Sequence, residues 1–595
     1  MIEPRIYRAA FVPAVLALLL VMFSLQSQPS GLPQALAADV LFDARRANED
    51  LRDIVRTSPD RRPGKAGDQA TARRVADELA GLGLRTVIDR YRAEGRDLTN
   101  VVARRGGGES AVVVMAARDA DSVPDATSSA ADTAALVELA RVFENKVANK
   151  TIVFASVDGS TLGDAGARRL ANQLEDGPQI DAVLVLSHLG AAQADGPMLL
   201  AWSNDSHRGG IGLARTATAS LRQELEDVPG DPGAVEQLTR LAFPLGLGGQ
   251  GPLLARGIDA IRLSGSGELP PASGEQPEDV DVERYAQLGK GALRTIFALE
   301  EGKRPEHGPS SYVIFAGQVV PGWGLSLLTL CLILPGLVAS VDAFARARRR
   351  RQAVAPYWRW LGATVLAFLA ALGVGELLVL IGQAPNPPPG PPAPTEVDID
   401  GTAAAALIAT SFTAALGLVL AWTRVLRRPG WPPPADAPAA GCAVSLAFAF
   451  ALLVVWALNP FTALLLVPAL HLWMVASLTR VRARAAVGLA VAGLLPPLIA
   501  VLIYMGRLDL GPLEAPWYAF QLVTGGHVGV LPALVGCVLL GVGASVLAIV
   551  AARRRVPEPA ERARAQPPGE PQPIFGPGGH AGPGMLGGPT GARRR

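Results

Sequence analysis

Cysteine is scarce in this chain of 595 residues, and its placement excludes two kinds of stabilising framework. The three cysteines are Cys331, Cys442 and Cys537, and each stands in an apolar run. A disulfide network or a thiolate zinc site outside a membrane requires cysteines in polar segments. Neither framework is therefore available to the polar part of the chain.

Histidine and lysine are also scarce, and neither sign of charge dominates. Histidine occurs six times, first at His188, and almost all of the basic residues are arginine. The few lysines, together with abundant Ala, Gly and Pro, indicate a GC-rich bacterial gene. The 55 basic and 53 acidic residues leave a net charge of +2. So balanced a charge argues against a nucleic-acid partner.

Long apolar runs, by contrast, are plentiful. Hydrophobic residues make up 49% of the chain, so we expect part of it to lie in a lipid bilayer. Residues 1–38 are predicted to form a signal anchor or a signal peptide, because Arg5 and Arg8 precede the apolar run 9–25. The run is nearly long enough to span a membrane, and the small-residue cleavage site at 35–37 lies well beyond it. Both features favour an uncleaved anchor.

Residues 39–311 are predicted to form an extracytoplasmic α/β domain. Apolar runs at 111–116, 151–157 and 182–186 predict buried strands. Helices are predicted at 68–82, 132–143, 166–174 and 282–299, with Asp68 as the N-cap of the first. The alternation of these elements predicts a sheet with helices on both faces.

Residues 312–555 are predicted to form a transmembrane bundle of about seven helices. Arginine clusters follow alternate apolar runs, and the connections between the other runs contain few basic residues. By the positive-inside rule, both termini then lie in the cytoplasm and the α/β domain lies outside. Residues 556–595 are rich in Pro and Gly and are predicted to be a disordered cytoplasmic tail. The sequence therefore predicts a multi-pass protein of the cell membrane.

Framework phrases in the α/β domain resemble those of a known family. They are Asn100-Val101-Val102-Ala103, the strand at 112–117, the helix phrase at 134–141, and the strand from Thr151 that leads to Gly163 and Gly166. In this order they resemble the zinc aminopeptidases and carboxypeptidases of the twenty-eighth metallopeptidase family. The resemblance covers roughly residues 39–299. It implies a zinc-exopeptidase-like fold, with a mixed sheet flanked by helices.

The resemblance also implies a two-zinc site with histidine and carboxylate ligands, a bridging aspartate and a glutamate as general base. The corresponding positions here are Ala117, Ser128, Ser160, Thr161 and Ser187, and Pro270 and Pro271 stand near the position of the last histidine. Asp119 corresponds to the carboxylate that would orient the missing first histidine. No histidine precedes His188, and no glutamate lies between Phe154 and Gly166. The sequence therefore predicts a degenerate metal site without catalytic residues and without a cofactor. Arg118 would also place a positive charge beside the metal position.

Other polar residues have both a functional and a structural interpretation. Asp119 and Asp158, with Asp121 and Asp125, could hold a hard cation or be solvated loop carboxylates. His188 could be a residual ligand or base, or a hydrogen-bonded histidine at a strand end. Glu376 and His471 stand in apolar runs, where ionisable groups are costly and often functional. They could line a transport path, or Glu376 could lie at the outer interface while His471 hydrogen-bonds across helices.

The order of one anchor, an outer peptidase-like domain and about seven spans resembles the attachment subunit of the eukaryotic GPI transamidase. This resemblance implies a noncatalytic fold used for binding and assembly. The first hypothesis is a membrane pseudopeptidase whose outer domain binds a peptide, a lipid-linked substrate or a partner protein. The second is a membrane-bound zinc aminopeptidase with atypical ligands. The third is a transporter or lipid-handling bundle with a receptor domain.

Overall fold

The computed structural model describes residues 3–33, 41–175, 177–191, 196–271, 276–387, 389–392, 394, 399–426, 438–479 and 481–554. The predicted cleavage site at 35–37 and the predicted tail at 556–595 lie outside the described residues. Within these ranges the chain forms an α/β domain and a helical bundle, as the sequence predicts.

The α/β domain contains most of the strands. The helices before the bundle are α1 (Pro4–Ala9), α2 (Val12–Phe23), α3 (Ala44–Thr57), α4 (Ala66–Gly81), α5 (Ala131–Val142), α6 (Ala165–Glu175), α7 (Ile211–Leu221), α8 (Ala234–Ala242), α9 (Gln250–Ala255) and α10 (Val282–Glu301). The strands are β1 (Gln26–Ser27), β2 (Arg85–Ala93), β3 (Arg96–Arg105), β4 (Ser110–Ala117), β5 (Thr151–Val157), β6 (Gln179–Ser187), β7 (Met198–Leu200), β8 (Ala260–Ser264), β9 (Tyr312–Phe315) and β10 (Gln318–Pro321). A π-helical turn, Ala126–Ala130, precedes α5.

Seven strands form one mixed sheet in the order β2-β3-β5-β4-β6-β8-β7. Strands β5, β4, β6 and β8 are parallel, whereas β2, β3 and β7 run antiparallel to their neighbours. The prediction of a mixed sheet is confirmed. Because the four parallel strands run in one direction, their carboxyl ends meet at the same edge of the sheet.

Helices cover both faces of this sheet. Along β4, Val112 and Val114 pack in a core with α3, α4, α5, α7 and α10, while Val113 and Met115 pack in a second core with α6 and α9. This division follows from the two-residue period of a strand, which points successive side chains to opposite faces. Strand β4 is apolar from Ala111 to Ala117 because both of its faces are buried there.

The predicted start of α4 is corrected by the structure. Its N-cap is Lys65, and Asp68 lies buried in the first turn. The Oδ1 atom of Asp68 lies 2.9 Å from Nε of Arg118, which is also fully buried. A buried guanidinium without a carboxylate partner is strongly destabilising, and the pairing holds Asp68 inside the helix instead of at its cap.

The bundle follows the β9–β10 hairpin. Its helices are α11 (Gly322–Arg349), α12 (Ala355–Leu380), α13 (Gly401–Leu420, continued by a π-helical turn Ala421–Leu426), α14 (Pro438–Leu458), α15 (Pro460–Leu478), α16 (Ala483–Arg507), α17 (Glu514–Thr524) and α18 (Val530–Arg554). Eight helical segments among the described residues are long and apolar enough to span a membrane, namely α1–α2 and seven bundle helices. Helix α17 is too short to be one of them, and the sequence did not predict it.

One end of the bundle contacts the α/β domain around α8. The Nδ2 atom of Asn459 donates a hydrogen bond of 2.8 Å to the carbonyl oxygen of Leu241. At the carboxyl end of α16, Arg507 pairs with Glu236 at 2.7 Å. The domain is therefore held against the bundle by polar contacts as well as by apolar packing.

Candidate functional site

A cavity of about 170 Å³ opens at the carboxyl ends of the four parallel strands. Ala117, Val157 and Ser187, the last residues of β4, β5 and β6, contribute to its wall. Pro391 and Pro392, from the connection between α12 and α13, also line it. In open α/β sheets, ligands bind in the crevice outside these strand ends, so the cavity is the candidate functional site.

The six positions that the sequence resemblance pairs with residues of a metal site all line this cavity. These residues are Ala117, Asp119, Ser128, Ser160, Thr161 and Ser187. They are distant in sequence and meet because their strands end at one edge, with the π-helical turn before α5 placing Ser128 beside them. Pro270 and Pro271 line the same cavity.

Asp119 is hydrogen-bonded to the loop that follows β5. Its carboxylate accepts from the backbone N–H of Ser160 at 2.8 Å, from the Ser160 hydroxyl at 2.9 Å and from the N–H of Thr161 at 3.4 Å. Burial raises the pKa of Asp119, and the hydrogen bonds from Ser160 oppose this rise. Asp119 is thus hydrogen-bonded to Ser160 and Thr161, which are themselves positions that the resemblance pairs with metal-site residues.

Asp132, which is buried, and His188, which is half-buried, also contribute to the cavity wall. Asp132, in the first turn of α5, accepts from the backbone N–H groups of His188 at 2.8 Å and Leu189 at 2.9 Å. Burial raises the pKa of Asp132 to about 8, despite these two bonds. The Nδ1 atom of His188 lies 2.9 Å from the hydroxyl of Ser266 and 3.2 Å from that of Ser187.

His188 is held as a neutral imidazole. Burial lowers its pKa to about 3, and the positive charge of Arg262 lowers it further. The residue has a left-handed backbone, with φ of 52°, which is uncommon for a residue with a side chain. His188 therefore sits in the cavity wall hydrogen-bonded to serine hydroxyls.

Four charged residues of the cavity, Asp132, Asp164, Arg262 and Glu268, are absent from the site residues predicted from the sequence. Arg262 is buried and donates from Nη2 to the carbonyl oxygen of Glu268 at 2.8 Å. The Glu268 carboxylate pairs with Arg240, with Oε1 2.7 Å from Nη1. Burial raises the pKa of Asp164 to about 7, and the charge of Arg262 opposes the rise. The sequence feature that could have identified Arg262 is the occurrence of an arginine within the otherwise apolar run 260–263.

The other candidate carboxylates do not all meet at the cavity. Asp121 lines its exposed mouth, and Asp125 accepts from the backbone N–H of Ser129 at 3.3 Å. Asp158 is not part of the lining and accepts from the N–H of Thr99 at 3.0 Å. No group of three or more His, Cys, Asp or Glu side chains that could hold a metal ion is found within the described ranges.

Arg118 and Asp158 belong to a buried network away from the cavity. Arg118 lies 3.3 Å from Asp158, in addition to its contact with Asp68. Burial raises the pKa of Asp158, and the neighbouring Asp68 carboxylate adds to this. The guanidinium of Arg118 is thus directed at these two carboxylates and is not among the residues that line the cavity.

Glu376 and His471 lie in the bundle. Glu376 is exposed, four residues before the end of α12. The Nδ1 atom of His471 lies 2.9 Å from the Tyr7 hydroxyl, and its Nε2 atom lies 3.0 Å from the carbonyl oxygen of Leu332. His471 therefore connects α15 with α1 and α11 by hydrogen bonds.

Comparison of the sequence with family models and with curated proteins returns no match. Many solved structures are similar to part of the chain, including the following three. Glutaminyl cyclase from Porphyromonas gingivalis is 16% identical over 43% of this chain and 99% of its own, with a TM-score of 0.35. LapB from Legionella pneumophila is 17% identical over 48% and 81%, with a TM-score of 0.39. BSAP, a zinc aminopeptidase from Bacillus subtilis, is 12% identical over 44% and 98%, with a TM-score of 0.36.

The raised pKa of Asp164 predicts a pH-dependent stability. Its pKa moves from 3.8 to about 7 on folding, so the stabilising contribution is present below 3.8 and is lost as the pH rises through about 7. Asp164→Asn removes this titration, and asparagine tolerates the left-handed backbone at φ 57°. Between pH 5 and 8, the wild type should lose roughly 1 kcal/mol or more relative to Asp164→Asn, measured by thermal unfolding.

The control for this experiment is Asp60→Asn. The side chain of Asp60 is 42% exposed, and its pKa is lowered to about 2, chiefly by its hydrogen bond with Arg62, so it does not titrate between pH 5 and 8. Parallel pH profiles of Asp164→Asn and the wild type would contradict the assignment.

Proposed function

We propose that this chain is an integral membrane protein whose extracytoplasmic, peptidase-like domain serves binding or assembly instead of zinc-dependent hydrolysis. The observation that carries the proposal is the hydrogen bonding of Asp119 to Ser160 and Thr161. Asp119 corresponds to the carboxylate that orients a histidine ligand in the family, and Ser160 and Thr161 correspond to its glutamate pair. In this chain the groups at these positions form hydrogen bonds with one another.

The side chains around the cavity also fit a zinc site poorly. Zinc is bound by imidazole, thiolate and carboxylate groups, whereas Ser128, Ser160, Thr161 and Ser187 offer hydroxyls. The carboxylate oxygens of Asp119 and Asp132 already accept hydrogen bonds from the protein. A water-activating base would also be needed, and Ser160-Thr161 stand where the family has its glutamates.

The arrangement of the bundle supports a topology with the domain outside. Asn459, between α14 and α15, and Arg507, the last residue of α16, contact the domain and adjoin connections with few basic residues. Helix α11 begins beside the domain at Gly322 and ends 27 residues later at Arg349 in a basic cluster. The positive-inside rule assigns such a cluster to the cytoplasm, so both termini are proposed to be cytoplasmic.

Contacts of the N-terminal segment support an uncleaved anchor. Tyr7 bonds to His471 in the bundle, Gln26 pairs with Val319 in a small sheet, and the N–H of Leu32 donates to Thr216 in the domain at 3.0 Å. After cleavage at residues 35–37, the segment that makes these contacts would no longer be covalently joined to the rest of the chain. We therefore assign the segment a structural role after export.

Zinc content and peptidase activity test the proposed function. The full chain, purified in detergent without chelator, should contain much less than one zinc per protein and should not hydrolyse aminoacyl-nitroanilides, because the ligand positions bind protein groups. Zinc is measured by mass spectrometry of the metal. Stoichiometric zinc with chelator-sensitive hydrolysis would establish the alternative, a zinc aminopeptidase with atypical ligands.

Cysteine labelling tests the topology. In a background without the native cysteines, Gly230→Cys places a thiol on an exposed loop of the domain with no heavy atom within 4 Å. An impermeant maleimide should label it on intact cells. The matched variant Arg348→Cys, exposed at the end of α11, should be labelled only after the membrane is permeabilised. The reverse pattern would place the domain in the cytoplasm.

A further inference from the structure

One acidic and one basic side chain in the cavity wall have polar atoms without hydrogen-bond partners among the described residues. The carboxylates of Asp119, Asp125, Asp132 and Glu268 all accept hydrogen bonds from the protein, and Asp121 lies exposed at the mouth. The two that remain are Asp164 and Arg262. Buried ionised groups are costly unless they are paired, so these two indicate what the cavity holds.

Arg262 has unused donors. Its side chain comes from the middle of β8, and the residue is 4% exposed. The only hydrogen bond of its guanidinium among the described residues goes from Nη2 to the carbonyl oxygen of Glu268. Its Nε is buried without a partner, and no described carboxylate lies within 4.0 Å. Arg262 therefore offers N–H groups to an acceptor.

The space beside Arg262 depends on a glycine. Gly248 lines the cavity with φ of 91°, and a Cβ atom at this position would lie 2.8 Å from Nη1 of Arg262. A side chain here would be strained by the backbone and would crowd the guanidinium. Gly248 thus keeps one side of the Arg262 guanidinium clear.

Asp164 has unused acceptors. The residue is 8% exposed, lines the cavity and has a left-handed backbone. Within the described part of the chain, no donor is hydrogen-bonded to its carboxylate, although Arg262 and Arg168 both influence its ionisation. Asp164 therefore offers oxygens to a donor, and a cationic donor suits them best.

We infer that the cavity binds a small zwitterion, with its ammonium group at Asp164 and its anionic group at Arg262. This inference rests on the proposed binding function. A ligand of either single charge would leave one of the two buried groups without a partner, whereas a zwitterion pairs with both. The volume of about 170 Å³ is below the roughly 300–1,000 Å³ of drug-sized sites, which restricts the ligand to a small compound.

Glycine and its singly charged analogues test the inference on the full chain in detergent. Glycine carries both charges, glycinamide only the ammonium, and N-acetylglycine only the carboxylate. Titration calorimetry should give glycine an affinity at least tenfold higher than that of either analogue. Absence of glycine binding, or equal affinity for all three compounds, would overturn the inference.

Two variants assign the charges to their residues. Asp164→Asn should weaken glycine binding at least tenfold and leave N-acetylglycine binding unchanged, while Arg262→Gln should weaken glycine and leave glycinamide unchanged. Arg169→Gln, which removes an exposed guanidinium paired with Asp89, is the matched control and should bind glycine like the wild type. Unchanged glycine binding in Asp164→Asn would contradict the assignment.

Folding and metal content are measured on the same samples. If Arg262→Gln does not fold, as judged by its melting curve, the comparison of glycine with N-acetylglycine in Asp164→Asn still decides the ammonium site. Zinc content distinguishes failure of the proposed function from failure of the zwitterion site. Stoichiometric zinc refutes the proposed function, whereas zinc-free protein that does not bind glycine refutes only the zwitterion site.

Discussion

Parallel strand ends impose the constraint on which the candidate site depends. Four strands bring their carboxyl ends to one edge of the sheet, and the loops that follow place several carboxylates in a small, largely buried space. A buried charge without a partner destabilises the fold. For two of these carboxylates, groups of the protein itself supply hydrogen bonds. Asp119 accepts hydrogen bonds from the loop after β5, and Asp132 accepts them from the backbone after β6.

Hydrogen bonding also connects this edge of the sheet to the bundle. Arg507 of α16 pairs with Glu236 of α8, which pairs in turn with Arg240 at 3.3 Å. Arg240 binds the carboxylate of Glu268, and the carbonyl oxygen of the same residue accepts from Arg262 in the cavity. The wall of the cavity and the end of a bundle helix are thus parts of one polar network. The contacts that hold Arg262 in the cavity wall are therefore connected to those that hold α16 against the domain.

Much of the fold could be predicted from the sequence, because apolar periodicity reports burial directly. Strand β4 and helices α5 and α10 lie within a residue or two of their predicted limits, since each has a long apolar pattern. The short strands β7 to β10 and helix α17 were not predicted, because three to eleven residues with mixed polarity carry little periodic signal. The pairing of Asp68 with Arg118 could not be predicted, because it joins residues that are distant in sequence. It places Asp68 in the first turn of α4 instead of at the expected N-cap.

The candidate site could be predicted in part. The framework phrases located Ala117, Asp119, Ser128, Ser160, Thr161 and Ser187, and all of them line one cavity. Asp164 and Arg262 were not predicted, because neither follows the family pattern and their proximity to the cavity depends on how distant loops pack. The most direct test of the central claim is a double-mutant cycle of Asp119→Asn and Ser160→Ala, measured by unfolding with chelator and then with added zinc. The coupling should be favourable by roughly 1.5–3 kcal/mol, as for a hydrogen bond to a charged group, and zinc should not change it. A coupling near zero, with zinc stabilising the wild type and not Asp119→Asn, would contradict the claim.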